Sequence, residues 1–154
     1  MNVQSQFDRY AKIMAALPAI TNNTVMPSSL MMASDGRYQV SYAPFDHVTL
    51  TAKLVLVGIT PGLQQARVAV DSARLALLAG KSNQEAAAIA KKTASFVGPT
   101  RKNLIALLDY VGTNKALNIT STASLWAQDS DLVNFTSALR YPVFFNGKNY
   151  GGSG

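Results

Sequence analysis

The sequence predicts an α/β domain from three consecutive features. The run Lys53-Leu54-Val55-Leu56-Val57-Gly58 reads as a strand, Gly58-Ile59-Thr60-Pro61-Gly62 as a tight turn, and the residues beyond it as a helix. Strand, Pro-Gly turn and helix form the grammar of an α/β unit, whose ligands sit at strand C-termini. A continuously apolar strand is expected where a parallel sheet is covered on both faces.

The other elements follow in chain order. Phe7, Tyr10, Ala11 and Met14 stand at helical spacing, predicting a helix over 3–16 that Pro18 ends. Residues 19–36, rich in Asn, Thr, Ser and Met, read as a loop, and Tyr38, Val40 and Tyr42 alternate as in a short strand. Residues 64–79 read as a helix with Val70, Ala73 and Leu77 inward and Arg67, Arg74 and Lys81 on another face; Gly80 closes it. Ser82-Asn83-Gln84-Glu85 is a capping box and opens a helix from Gln84 to about Ala94. Gly98-Pro99 opens another, with Leu104, Leu107, Leu108 and Val111 as its inner stripe and Gly112 as its stop. Residues 113–130 are irregular, with Trp126 as the expected anchor. Asp131 to Ala138 resumes strand character, and after Phe145 the chain is expected to lose regular structure.

Composition narrows the chemistry. With 154 residues, 48% of them apolar and 14% charged, the chain suits one packed domain rather than disorder. The absence of cysteine excludes disulfides, thiolate zinc sites, iron–sulfur clusters and cysteine nucleophiles, and the single histidine, His47, excludes a two-histidine mechanism. No metal or cofactor is expected. No apolar run approaches the roughly 20 residues that span a bilayer. The N-terminus lacks the order of a signal peptide, so a cytoplasmic address is expected. The net charge of +6 is localised: residues 53–115 hold nine bases against Asp71, Glu85 and Asp109, whereas bases and acids balance on either side. Such a surface either binds an anionic partner, nucleic acid first, or is a solvated helical face.

Three segments are candidates for function. Glycines in Gly58–Gly62 let the backbone approach a ligand, and the helix behind them offers amides to an anion; the same pattern also serves as a plain structural turn. Phe96-Val97-Gly98, ahead of Arg101-Lys102, can stack a base beside phosphate-holding cations, or it can bury a phenylalanine under a helix start. Phe135-Thr136-Ser137-Ala138-Leu139-Arg140 puts hydroxyls at a strand end, facing a ligand or merely an edge.

Taken in order, the three segments resemble the uracil-DNA glycosylase superfamily, particularly family 4 and the mismatch-specific branch. Gly58 to Gly62 matches the family's Gly-Glu-Ala-Pro-Gly or Gly-Ile-Asn-Pro-Gly motif at the glycines and the proline. Ser95-Phe96-Val97-Gly98 echoes Pro-Phe-Val-Gly, and Thr136 to Arg140 falls on Thr-Asn-x-x-Lys. The resemblance spans residues 53–145 and implies a three-layer α/β/α fold around a central, mainly parallel sheet. It implies that Gly58, Ile59, Pro61, Gly62, Phe96 and Ser137 bind the base and that Thr60 positions the water. Lys91, Lys92, Arg101 and Lys102 are expected on DNA phosphates.

This sequence departs from the family in five respects. The four cluster-binding cysteines of family 4 have no counterpart here. A Thr60 hydroxyl orients a water but is no base near neutral pH. Ser137 stands where the family reads the uracil edge with asparagine, and one hydroxyl cannot supply an amide's paired donor and acceptor. Residues 64–95 form a helical basic insertion. The family's later His-Pro-Ser motif is not present, and the Gly-Gly-Ser-Gly ending reads as a chain cut in a loop or a glycine linker. The expectation is therefore a single domain over 1–154, truncated and incomplete at its C-terminus, hydrolysing the N-glycosidic bond of a flipped uracil weakly or not at all. The competing expectations are a non-catalytic nucleic-acid-binding module using residues 53–115, and a structural fragment with no role of its own.

Overall fold

A computed structural model describes residues 5–152 and has a mixed α/β fold. The first helix, α1, runs Gln6–Ala16; the expected start at residue 3 lies outside the described residues. Ser5 and Asp8 close a capping box at its N-terminus, each side chain meeting the other's backbone N–H. The expected loop of 19–36 contains a short 3-10 turn at Ser28–Leu30 and a strand, β1, Met31–Ser34. This strand is mostly exposed, so no apolar alternation marks it; pairing with β2, Tyr38–Ser41, makes it.

Strand β3, Leu54–Gly58, pairs in parallel with β4, Val133–Ser137, so that Gly58 stands opposite Ser137. Between them run α2, Leu63–Leu78, α3, Asn83–Ala94, α4, Pro99–Tyr110, and a short α5, Thr113–Ala116. The Ser82–Glu85 capping box forms as expected. Beyond β4, where the expectation was irregular chain, β5, Val143–Phe145, and β6, Lys148–Asn149, form a hairpin. Asn146 and Gly147 turn it with φ of 48° and 74°, the paired positive angles a two-residue hairpin turn demands. Ser153 and Gly154 of the glycine-rich ending lie outside the described residues.

The described strands thus form two sheets, an antiparallel β1-β2-β5-β6 and a parallel β3-β4, where one central sheet was expected. Nor is β3 covered on both faces: Val55 and Val57 are 55% and 63% exposed. Leu54 and Leu56 face a small core of Leu125, Val133 and Phe135, while no described helix lies over the opposite face. The larger core joins α1, α2 and α3 to the antiparallel sheet. Ala66, Ala69, Ala73, Ala86, Ala90 and Ala94 let α2 and α3 approach closely, and Met14, Val70 and Tyr42 fill the space beside them. Residues 64–95, expected as an insertion, are therefore the centre of the main core. Among the described residues no helix is long and apolar enough to cross a membrane.

Candidate functional site

The three segments singled out in the sequence meet at the C-terminal ends of the parallel strands. Gly58 and Ser137 are ladder partners, and the pairing continues as Ala138 N–H donates to the Gly58 carbonyl and Leu139 N–H to that of Ile59, both at 2.9 Å. Phe96 closes the third side. A Cβ placed on Gly58 would lie 3.3 Å from both Phe96 Cε1 and Ser137 Oγ. A side chain fits there only if Phe96 or Ser137 gives way by a few tenths of an ångström.

Phe96 has an unusual backbone, with φ of 54°. A bulky residue in this region is strained, and such strain collects at functional sites. Its N–H donates to Gln65 Oε1 at 3.1 Å, and its ring meets Phe135 edge-on at 6.0 Å. Phe135 in turn stacks on Trp126 at 4.7 Å. Trp126 is the expected anchor: its indole N–H donates to the Ser95 carbonyl at 2.9 Å.

The cleft enclosed by Phe45, Pro61, Gln65, Phe96, Ser137 and Arg140 has a volume of about 10 Å³, room for about one water. A base enters only if a wall moves, and Arg140 is the exposed one. Behind Phe135 lies a roomier hollow of about 270 Å³, walled by His47, Lys91, Lys92 and Asp131 among others.

Several expected site residues are committed elsewhere. Thr60 Oγ1 donates to the Tyr141 carbonyl at 2.9 Å and accepts from Val143 N–H at 3.2 Å. Its proton is spent on tying the turn to β5, and it does not line the cleft. Ile59 is 52% exposed and does not line the cleft. Gly62 precedes α2, but the Leu63 amide expected to be free for an anion donates to Asn149 Oδ1 of β6 at 2.8 Å.

The cations divide likewise. Lys91 is buried, donating to the His47 carbonyl, and loss of hydration lowers its pKa to about 8, with Arg140 adding repulsion and Asp46 opposing it. Arg101 turns inward, donating to the carbonyls of Thr93 and Ser95 at 2.6 and 2.8 Å and lying over the Trp126 ring at 5.4 Å. Burial lowers its pKa as well. Arg67 holds the Thr24 carbonyl, Arg74 pairs with Asp71 at 2.9 Å, and Lys81 with Glu85 at 3.5 Å. Lys102 is exposed and Lys92 half-buried, both on the outside of their helices and available to an anion.

Sequence reasoning missed Gln65, Phe45 and the Asp46 cluster. Asp46 accepts from Tyr42 and Tyr141 hydroxyls at 2.7 and 2.5 Å, and burial together with this carboxylate raises both phenol pKa values. Gln65 sits in a Gln-Gln pair that reads as helix surface, so nothing in the sequence marks it. Among the described residues no group of three or more His, Asp or Glu is placed to hold a metal ion.

The chain is similar to the uncharacterized protein YoxB of Bacillus subtilis (strain 168). Identity is 32% over 151 residues, which is 97% of this chain. The chain spans 59% of the length of that relative. No protein-family description matches the chain, and no solved structure matches it. The relative's name states no activity, so function rests on geometry.

Proposed function

We propose that this chain is a uracil-DNA glycosylase-like domain that hydrolyses the N-glycosidic bond of a flipped uracil or related damaged base in DNA. One observation carries the reading: residues 58, 96 and 137, from three separated motifs, crowd around a single missing side-chain carbon on Gly58. A plain strand-to-helix turn has no need of such convergence.

Flipping a nucleotide costs a few kcal/mol in lost stacking and pairing. Phe96 would offset this by stacking on the base, with a hydrogen bond from the Ser137 hydroxyl; of Gly58–Gly62 only Pro61, which has no N–H, lines the cleft. As the glycosidic bond loosens, negative charge grows on the departing base, and fixed positive charge nearby stabilises it. Arg140 supplies that charge at the cleft mouth. Lys92 and Lys102 then hold phosphates, the inward Lys91 and Arg101 supporting the scaffold instead. A cytoplasmic address goes with this reading because the proposed substrate is DNA.

The closed cleft and the engaged Thr60 hydroxyl favour a second reading, a nucleic-acid-binding module without catalysis. Incubation with uracil-containing single-stranded DNA followed by alkali separates the two. Strand cleavage that Gly58→Ala abolishes supports the glycosylase. Salt-sensitive binding without cleavage supports the module, and absence of both overturns both.

A further inference from the structure

We infer that Gln65 reads the edge of the bound base, presenting a fixed N–H donor that selects a carbonyl over an amino group. This rests on the glycosylase reading and names the specificity determinant of that site, which the resemblance left open by placing Ser137 where an amide is expected.

A backbone N–H can only donate, so the Phe96 N–H requires the Gln65 amide to turn its oxygen toward it, at 3.1 Å. The NH₂ group therefore faces the other way, a direction settled by hydrogen-bond chemistry rather than by the similar outlines of O and N. Gln65 lines the cleft. Its NH₂ has no partner among the described residues, and Asn114 Oδ1 is the buried side-chain atom left without one there, so the Gln65 donor is open to solvent. Ser137 Oγ and Arg140 share the cleft, and no carboxylate lines it. The rim is thus rich in donors and suits an oxygen-bearing edge.

The same hydrogen bond does two jobs. It holds Phe96 in its strained backbone conformation, setting the ring for the base face, and it orients the amide for the base edge. Uracil offers a carbonyl where cytosine carries an amino group. Opposing two donors leaves both unpaired, which corresponds to a preference of about 10- to 100-fold for uracil.

The test is NMR titration of the folded protein with free uracil and free cytosine, alongside excision from DNA, for the wild type, Gln65→Glu and Gln65→Met. In Gln65→Glu one carboxylate oxygen still accepts from Phe96 while the other presents an acceptor, so the preference should reverse toward cytosine. Gln65→Met keeps the volume and should bind the two bases alike, which carries the test if the glutamate variant does not fold. Uracil preference unchanged in both variants overturns the inference, as does a wild type that binds neither base. Gln65-dependent selectivity without excision upholds the edge reader and overturns the glycosylase.

Discussion

The two halves of the molecule use the same kind of sequence to different ends. In the half built from α1, α2, α3 and the antiparallel sheet, helical stripes are fully buried, down to Met14, Val70 and Ala90 at 0% exposure. In the half built from β3, β4 and α4, the stripe Leu104-Leu107-Leu108-Val111 has the same spacing, yet no residue of α4 is buried and Leu107 and Val111 are 57% and 63% exposed. Periodicity shows which face a helix can bury, not that a partner is there to bury it. The cleft lies on the seam, with Phe45 from the first core and Phe96 and Phe135 from the second.

Truncation tests this contrast most strongly. Met14→Ala should lower unfolding stability by about 2–5 kcal/mol, whereas Leu107→Ala should stay within about 0.5 kcal/mol. Equal costs in urea titrations would erase the distinction between the halves. Next comes Arg101→Met, which strips the Thr93 and Ser95 carbonyls of a charged donor and should cost about 1.5–3 kcal/mol while leaving the salt dependence of DNA binding unchanged. A reduced salt slope would return Arg101 to the phosphate contacts.

Lys91 gives a pH-dependent signal. Its folded pKa of about 8 lies below the roughly 10.4 of an unfolded lysine. Between these values the unfolded chain binds more protons, so stability rises with pH from about 8. Above about pH 10 the sign turns, because Tyr42 and Tyr141 keep protons that unfolded tyrosines lose. Denaturant midpoints against pH should show the rise in the wild type and not in Lys91→Met. The smallest effect is expected from Lys102→Ala: stability unchanged within about 0.5 kcal/mol, with the slope of log affinity against log salt reduced by about one.

Local rules carried much of the fold. Capping box, Gly-Pro start and glycine stop placed α3 and α4 closely, because these devices act within a few residues. The strands β1, β5 and β6 are short and hold together by pairing across the chain, which local pattern does not contain. Asn146-Gly147 is the exception, a hairpin signal present in the sequence and overlooked. For the site, the positions of the motifs were legible and the directions of their side chains were not. Thr60 and Arg101 are each captured by carbonyls, of residues 81 positions away and 6 or 8 positions away respectively. Such partners appear only once the chain is folded.

The stack behind the cleft also makes the protein its own optical instrument. Trp126 is the only tryptophan, so its fluorescence comes from one place. Its indole rests on Phe135, which itself lines the cleft and whose ring abuts Phe96, so a single aromatic contact separates the fluorophore from the cleft wall. Anything that displaces Phe96 changes the packing and polarity around the indole. Occupancy of the cleft can therefore be followed as a shift in tryptophan emission, without a label and without turnover.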